Sequence, residues 1–144
     1  MNAQAERWSR QAADDLDTAI ALHGLARYGP CAFFCQQAAE KALKAALYTV
    51  NERPWGHSIS ALLDQYCVVF QVDVLDAPQV EAVALDEHYM RPRYPDARTD
   101  IESDYDQETA EEALRHAHLI LSFLKDGSHH AREDTDDETA SSLG

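Results

Sequence analysis

Three arginines fall within eight residues in Arg91-Pro-Arg-Tyr-Pro-Asp-Ala-Arg98, in a chain that is otherwise poor in cations. Twelve basic side chains face 26 acidic ones, for a formal charge of −14, so the cluster runs against the global balance. A guanidinium is a planar fork that meets phosphate or carboxylate oxygens two at a time. Pro92 and Pro95 restrict the backbone and lower the entropy lost in presenting Arg91, Arg93 and Arg98. Tyr94 offers a ring on which a base can stack. Asp96 can orient an arginine, accept from a ribose hydroxyl or cap a turn. The same residues admit a structural reading, with Arg93 and Asp96 tying the loop to acidic helix faces and Tyr94 plugging the core. A protein interface is the third use.

His57, Lys41 and Lys44 are the other candidates. His57 directly precedes Ser58, which reads as a helix N-cap, so a neutral ring there can accept from free backbone N–H groups or belong to a site. Lys41 and Lys44 are either solvated or extend the basic surface, provided that their helix meets the arginine loop. Trp8 reads as a core residue, and Trp55 as cover for one end of the fold. Cys31 and Cys35 stand one helical turn apart, and no second pair at a recognisable spacing completes a metal site. They read as small apolar residues on a buried face. No metal or cofactor is expected.

The elements that must position these groups are helical, because good helix formers dominate and the 5 Gly and 5 Pro are too few for a turn-rich β fold. A first helix is predicted over about residues 3–26, with Trp8, Ala12, Leu16, Ala19 and His23 on one face. Tyr28-Gly-Pro30 breaks it. The second, about 30–50, is apolar over much of its circumference, which suits a central helix. Ser58 caps a third, carrying Ile59, Leu62, Leu63 and Tyr66, and the valines up to Val74 read as its end plus an apolar connector. Asp76 caps a fourth, with Pro78 in its first turn, reaching Tyr89 or Met90. Residues 91–98 are non-helical, since residues before proline are pushed out of the helical region. Asp104 opens the fifth helix, with Gln107 at the capping-box position. Residues 1–126 thus form one domain, and 127–144 an acidic, disordered tail with little to bury.

Several function classes fall away. No run approaches the roughly 18 apolar residues of a membrane span. The opening Met-Asn-Ala-Gln-Ala-Glu-Arg-Trp8 lacks a basic region followed by an apolar one, so a cytoplasmic location is expected. Three cysteines argue against a disulfide framework. The acidic surface repels phosphates at long range and disfavours broad DNA or RNA binding, leaving a local basic pocket as the alternative.

Four blocks, in order, resemble the HEPN family of small helical domains. They are Trp8-Ser-Arg-Gln-Ala-Ala-Asp-Asp-Leu16, Phe34-Cys-Gln-Gln-Ala-Ala-Glu-Lys-Ala-Leu-Lys44, Trp55-Gly-His-Ser-Ile59 and Tyr89-Met-Arg-Pro-Arg-Tyr-Pro-Asp-Ala97. The last is similar to the Arg-Tyr-Pro-Asp loop of one prokaryotic branch. The resemblance implies an all-α, up-and-down four-helix bundle with a short additional helix, often a homodimer. It further implies either a metal-independent ribonuclease or a protein paired with a minimal nucleotidyltransferase in a toxin–antitoxin-type module. The ribonucleases carry Arg and His separated by four to six residues. No arginine here satisfies that spacing: Arg53 and His57 have three residues between them, Arg115 and His118 two. The reading is therefore a non-catalytic module that binds a nucleotide, an RNA or a nucleotidyltransferase partner. A ribonuclease with a site drawn from His57, Arg93 and Asp96, and a purely structural dimerising protein, are the alternatives.

Overall fold

The computed structural model describes residues 2–89 and 105–143, with side chains through residue 127. Arg91, Arg93, Tyr94, Asp96 and Arg98 lie outside the described residues. Within the described residues all regular structure is helical: α1 (Ala3–Gly24), α2 (Tyr28–Tyr48), α3 (Ile59–Phe70), a 3₁₀ turn (Val74–Asp76), α4 (Gln79–Asp86) and α5 (Gln107–Leu143). Four longer helices and one short one make the all-α bundle that the sequence implied.

Helix α2 is the hub and packs against α1, α3, α4 and α5. Small residues let α1 come close to it. Ala5, Ala12 and Ala19 recur every seventh position and are buried, facing an α2 that buries Ala32, Ala38, Ala39, Ala45 and Ala46. On its other side α2 buries Leu43 and Leu47 with Ile59, Leu63 and Tyr66 of α3, Leu85 of α4 and Ile120 of α5. Cys31 and Cys35 are free and fully buried. The hydrogen bond to Cys31, and then burial, push the Cys35 thiol up from its ordinary range, which fits packing rather than reactivity.

The helix ends explain where expectation and structure part. Asn2 caps α1, accepting from Ala5 N–H at 2.8 Å, and its amide donates to the Tyr48 carbonyl at 2.7 Å, joining the start of α1 to the end of α2. The break after α1 comes earlier than Gly29. Ala26 takes the left-handed conformation (φ 58°), and the Arg27 N–H returns to the Leu22 carbonyl at 2.8 Å. Gly29 and Pro30 then lie inside the first turn of α2, where proline's missing N–H is not needed. Ser58 caps α3 as expected, through Ala61 N–H at 3.1 Å. Asp76 closes the 3₁₀ turn instead of capping α4, which starts after Pro78 and ends at Asp86. Asp104, expected to open α5, lies outside the described residues; Asp106 receives the Thr109 N–H at 2.8 Å at the head of the helix, and its bonds to Thr109 hold the carboxyl below its usual range.

Helix α5 runs through the segment expected to be a disordered tail. No proline interrupts residues 127–143, and adding turns to an existing helix is easier than starting one. No described helix is long and apolar enough to cross a membrane.

Candidate functional site

The most apolar helix carries a polar stripe. Gln36, Glu40 and Lys44 are spaced four residues apart on α2, so they share one face. All three are buried, at 0%, 3% and 8% exposure. A buried carboxylate survives only with partners, and Glu40 has three. Its Oε2 receives the Lys44 ammonium at 3.1 Å. Its Oε1 receives the Gln36 side-chain amide at 3.2 Å and lies 3.1 Å from Nδ1 of His57. Lys44 also lies over the Trp8 ring, 5.4 Å from its centre, and that ring stacks on Tyr48 at 6.0 Å. Gln37 completes the set by donating from its side-chain amide to Oε1 of Gln36 at 2.7 Å.

His57 is gripped on three sides. The Gln36 amide donates to its backbone carbonyl at 2.9 Å, Glu40 meets Nδ1, and Tyr89 stacks on the ring at 4.4 Å and 16°. Phe33 continues the aromatic stack, 6.4 Å beyond Tyr89. The His57 side chain is 54% exposed, and its Nε2 has no partner among the described residues. The ring does not satisfy the free N–H groups of α3, which was one sequence reading. Asp86 does so from the end of α4, accepting from Ile59 N–H, from Ser60 N–H at 3.2 Å and from the Ser60 hydroxyl at 2.7 Å. A carboxylate suits that position because the helix start carries partial positive charge. Asp86 thereby ties α4 to α3 two residues after His57 and three before Tyr89, fixing the two rings against each other.

Tyr89 is the last described residue before the segment that contains the arginines. On the far side of that segment the Tyr105 hydroxyl meets Nδ1 of His88 at 3.1 Å. The two flanks of residues 90–104 therefore meet at His88, the sequence neighbour of Tyr89.

The predicted lysines are not free surface cations. Lys44 faces Glu40, and Lys41 lies 2.7 Å from the Asp15 carboxylate of α1. Trp8 is half-buried in the α1–α2 seam, while Trp55, expected to cover one end of the bundle, is 86% exposed two residues before His57. Among the described residues no group of three or more His, Cys, Asp or Glu side chains is placed to hold a metal ion. Sequence reasoning missed Glu40 and Gln36. The signal was available: an acid four residues before a lysine and four after a glutamine, inside a helix otherwise built to be buried.

An all-α bundle with a buried Gln–Glu–Lys stripe behind an exposed histidine is the class that fold and site define. The chain belongs to the HEPN family: the HEPN domain model matches residues 5–127. A Methanocaldococcus jannaschii protein named "Putative toxin MJ1304" is 29% identical over 136 residues, covering 85% of this chain and 86% of that one. Among solved structures, TT1696 from Thermus thermophilus superposes with a TM-score of 0.71 at 33% identity, covering 88% of this chain and 99% of that one. The archaeal HEPN homologue ST0689 gives 0.68 at 31% identity, over 87% and 97% of the two chains.

Proposed function

We propose that this HEPN protein is a binding module whose site opens at His57 and Tyr89 and takes a nucleotide, in a toxin-like setting. The observation that carries the reading is the His57 ring, stacked on Tyr89 at 4.4 Å and held by a buried carboxylate, with Nε2 left over for a ligand. The exposed His57 ring offers a face on which a base can stack. The sequence supplies Arg91, Arg93 and Arg98 within ten residues of Tyr89, and guanidinium groups suit its phosphates. The name of the M. jannaschii relative supports the toxin-like setting. A minimal nucleotidyltransferase is the partner to try first, and a homodimer is the assembly that the family resemblance favours. The acidic surface fits a basic partner protein better than bare RNA.

The test is thermal denaturation against AMP, ADP, ATP, GTP and short RNAs, since a ligand of the native state raises the melting temperature by mass action. A shift that vanishes in both His57→Ala and Arg93→Ala supports the module. A shift that survives both sinks it.

One observation favours a second reading. An imidazole backed by a buried carboxylate is the arrangement of a general acid–base, so a ribonuclease acting through His57 is the alternative. It predicts metal-independent cleavage of RNA in EDTA that is lost in His57→Ala. Intact RNA after incubation with pure protein, with or without EDTA, removes it.

A further inference from the structure

We infer that Glu40 is the positioning residue of this site: it accepts a hydrogen bond from Nδ1–H of His57 and so leaves Nε2 to face a phosphoryl oxygen of the ligand. The inference rests on the nucleotide reading above and goes beyond it, because it fixes which ring nitrogen works and in which protonation state.

The argument is one of donors and acceptors. Lys44 is a donor only, and it occupies Oε2 of Glu40 at 3.1 Å. Oε1 therefore faces His57, and an ionised carboxylate can only accept, so Nδ1 must carry the proton. Gln36 cannot reverse this. Its amide nitrogen donates to both Oε1 and the His57 carbonyl, and its oxygen is filled by Gln37. Every polar atom behind the ring thus agrees on one tautomer. In the neutral ring Nε2 is a lone pair. In the protonated ring it is an N–H donor with Glu40 on the opposite nitrogen. Among the described residues, the other ionisable groups around the ring are Tyr89 stacked on it, Lys44 behind Glu40, and Asp86, which is spent on the start of α3. A phosphoryl oxygen needs a donor, so binding in the wild type requires the protonated ring and weakens as pH rises.

Glu40→Gln makes an unusual prediction. Lys44 still demands an acceptor and, as a full charge, takes the new amide oxygen, which turns the new NH₂ toward Nδ1; the Gln36 amide gives up its bond at that position and keeps the one to the His57 carbonyl. His57 must then accept at Nδ1 and carry its proton on Nε2. The neutral ring of the variant keeps a donor facing the ligand, so the pH dependence of binding flattens instead of the affinity simply falling.

The experiment pairs two measurements on the full chain. Long-range ¹H–¹⁵N correlation of the histidine rings, with His57→Gln identifying the signal, reads the tautomer without any ligand. Titration with the methyl ester of AMP, a diester with one charge throughout the range, reads binding from pH 5.5 to 8.5. We expect the Nδ1–H tautomer in the wild type and the Nε2–H tautomer in Glu40→Gln. We expect the wild-type Kd to weaken by about tenfold or more across that range, and by no more than about threefold in the variant. An Nε2–H tautomer in the wild type overturns the inference, and that spectrum decides it even if Glu40→Gln fails to fold. Equal pH profiles in the two proteins also overturn it while leaving the binding site in place. No binding of the ester at any pH, with the Nδ1–H tautomer present, sinks the nucleotide reading and the role of Nε2 with it.

Discussion

Two faces of the same helix obey different rules. Toward α3 and α5, α2 presents Cys35, Leu43 and Leu47 to a continuous apolar core. Toward His57 and α1 it presents Gln36, Glu40 and Lys44 in a chain of hydrogen bonds and an ion pair. The first face is favoured by burial alone, at roughly 25 cal/mol for each Å² of apolar surface removed from water. The second face is not explained that way. Taking a carboxylate and an ammonium out of water is costly, and their attraction only about restores the loss. Leucine and methionine in those places would serve the fold at least as well. A helix that is otherwise built for burial keeps a polar stripe where the stripe ends on an exposed histidine, and that is the strongest structural hint of function among the described residues.

The sharpest way to break the comparison is Glu40→Ala. It leaves the Lys44 ammonium buried without its partner, a change that costs about 3–5 kcal/mol in a fully buried pair. Lys44 keeps some exposure and the Trp8 ring, so we expect the lower end, about 3 kcal/mol, in urea denaturation. The joint change Glu40→Leu with Lys44→Met removes both charges, and should cost far less than Glu40→Ala or even stabilise the fold, while nucleotide binding is lost. If the double variant is less stable than Glu40→Ala, the stripe is a stability device and the contrast between the faces fails.

Leu43→Ala is the counterpart on the apolar face. Leu43 is fully buried, and its truncation should cost about 2–5 kcal/mol through lost burial and the cavity left behind. Binding at His57 should stay within about twofold of wild type once the protein is held below its melting temperature. A large loss of affinity in Leu43→Ala would mean that the two faces are coupled and cannot be treated as core and site.

This contrast also marks what the sequence could disclose. The apolar face was legible, because periodic Ala, Leu and Cys positions need only a period of 3.6 to be read. Ser58 was legible as a cap because its partner, Ala61, is three residues away. The polar stripe was visible as residues but not as a site, since its meaning comes from His57, 17 positions from Glu40. His57 itself was singled out, yet its ring has a different partner from the one that local reasoning suggests. Asp86, 27 residues from Ile59, occupies the helix start that the ring would otherwise have served. Long-range pairings of this kind depend on how helices dock, and no local pattern encodes them. The turn at Ala26 was missed for a related reason: alanine rarely adopts a positive φ, and nothing in its side chain announces one.

The smallest expected effect comes from a flaw in the apolar face. The Tyr66 hydroxyl is buried without a hydrogen-bond partner among the described residues, and its ring stacks on Phe70 at 4.4 Å and packs edge-on against Phe123 at 5.6 Å. Burial pushes that hydroxyl's pKa up, as expected for a group whose charged form has no support. An unmade buried hydrogen bond is a penalty that removing the group relieves. Tyr66→Phe should therefore leave stability unchanged or raise it by up to about 1 kcal/mol, and should not alter binding at His57. The equivalent deletion on the other face, His57→Phe, removes the bond to Nδ1 and leaves Glu40 Oε1 with the Gln36 amide alone, so it should destabilise. If both substitutions shift the melting temperature in the same direction, hydrogen-bond satisfaction is not what separates the two faces of α2.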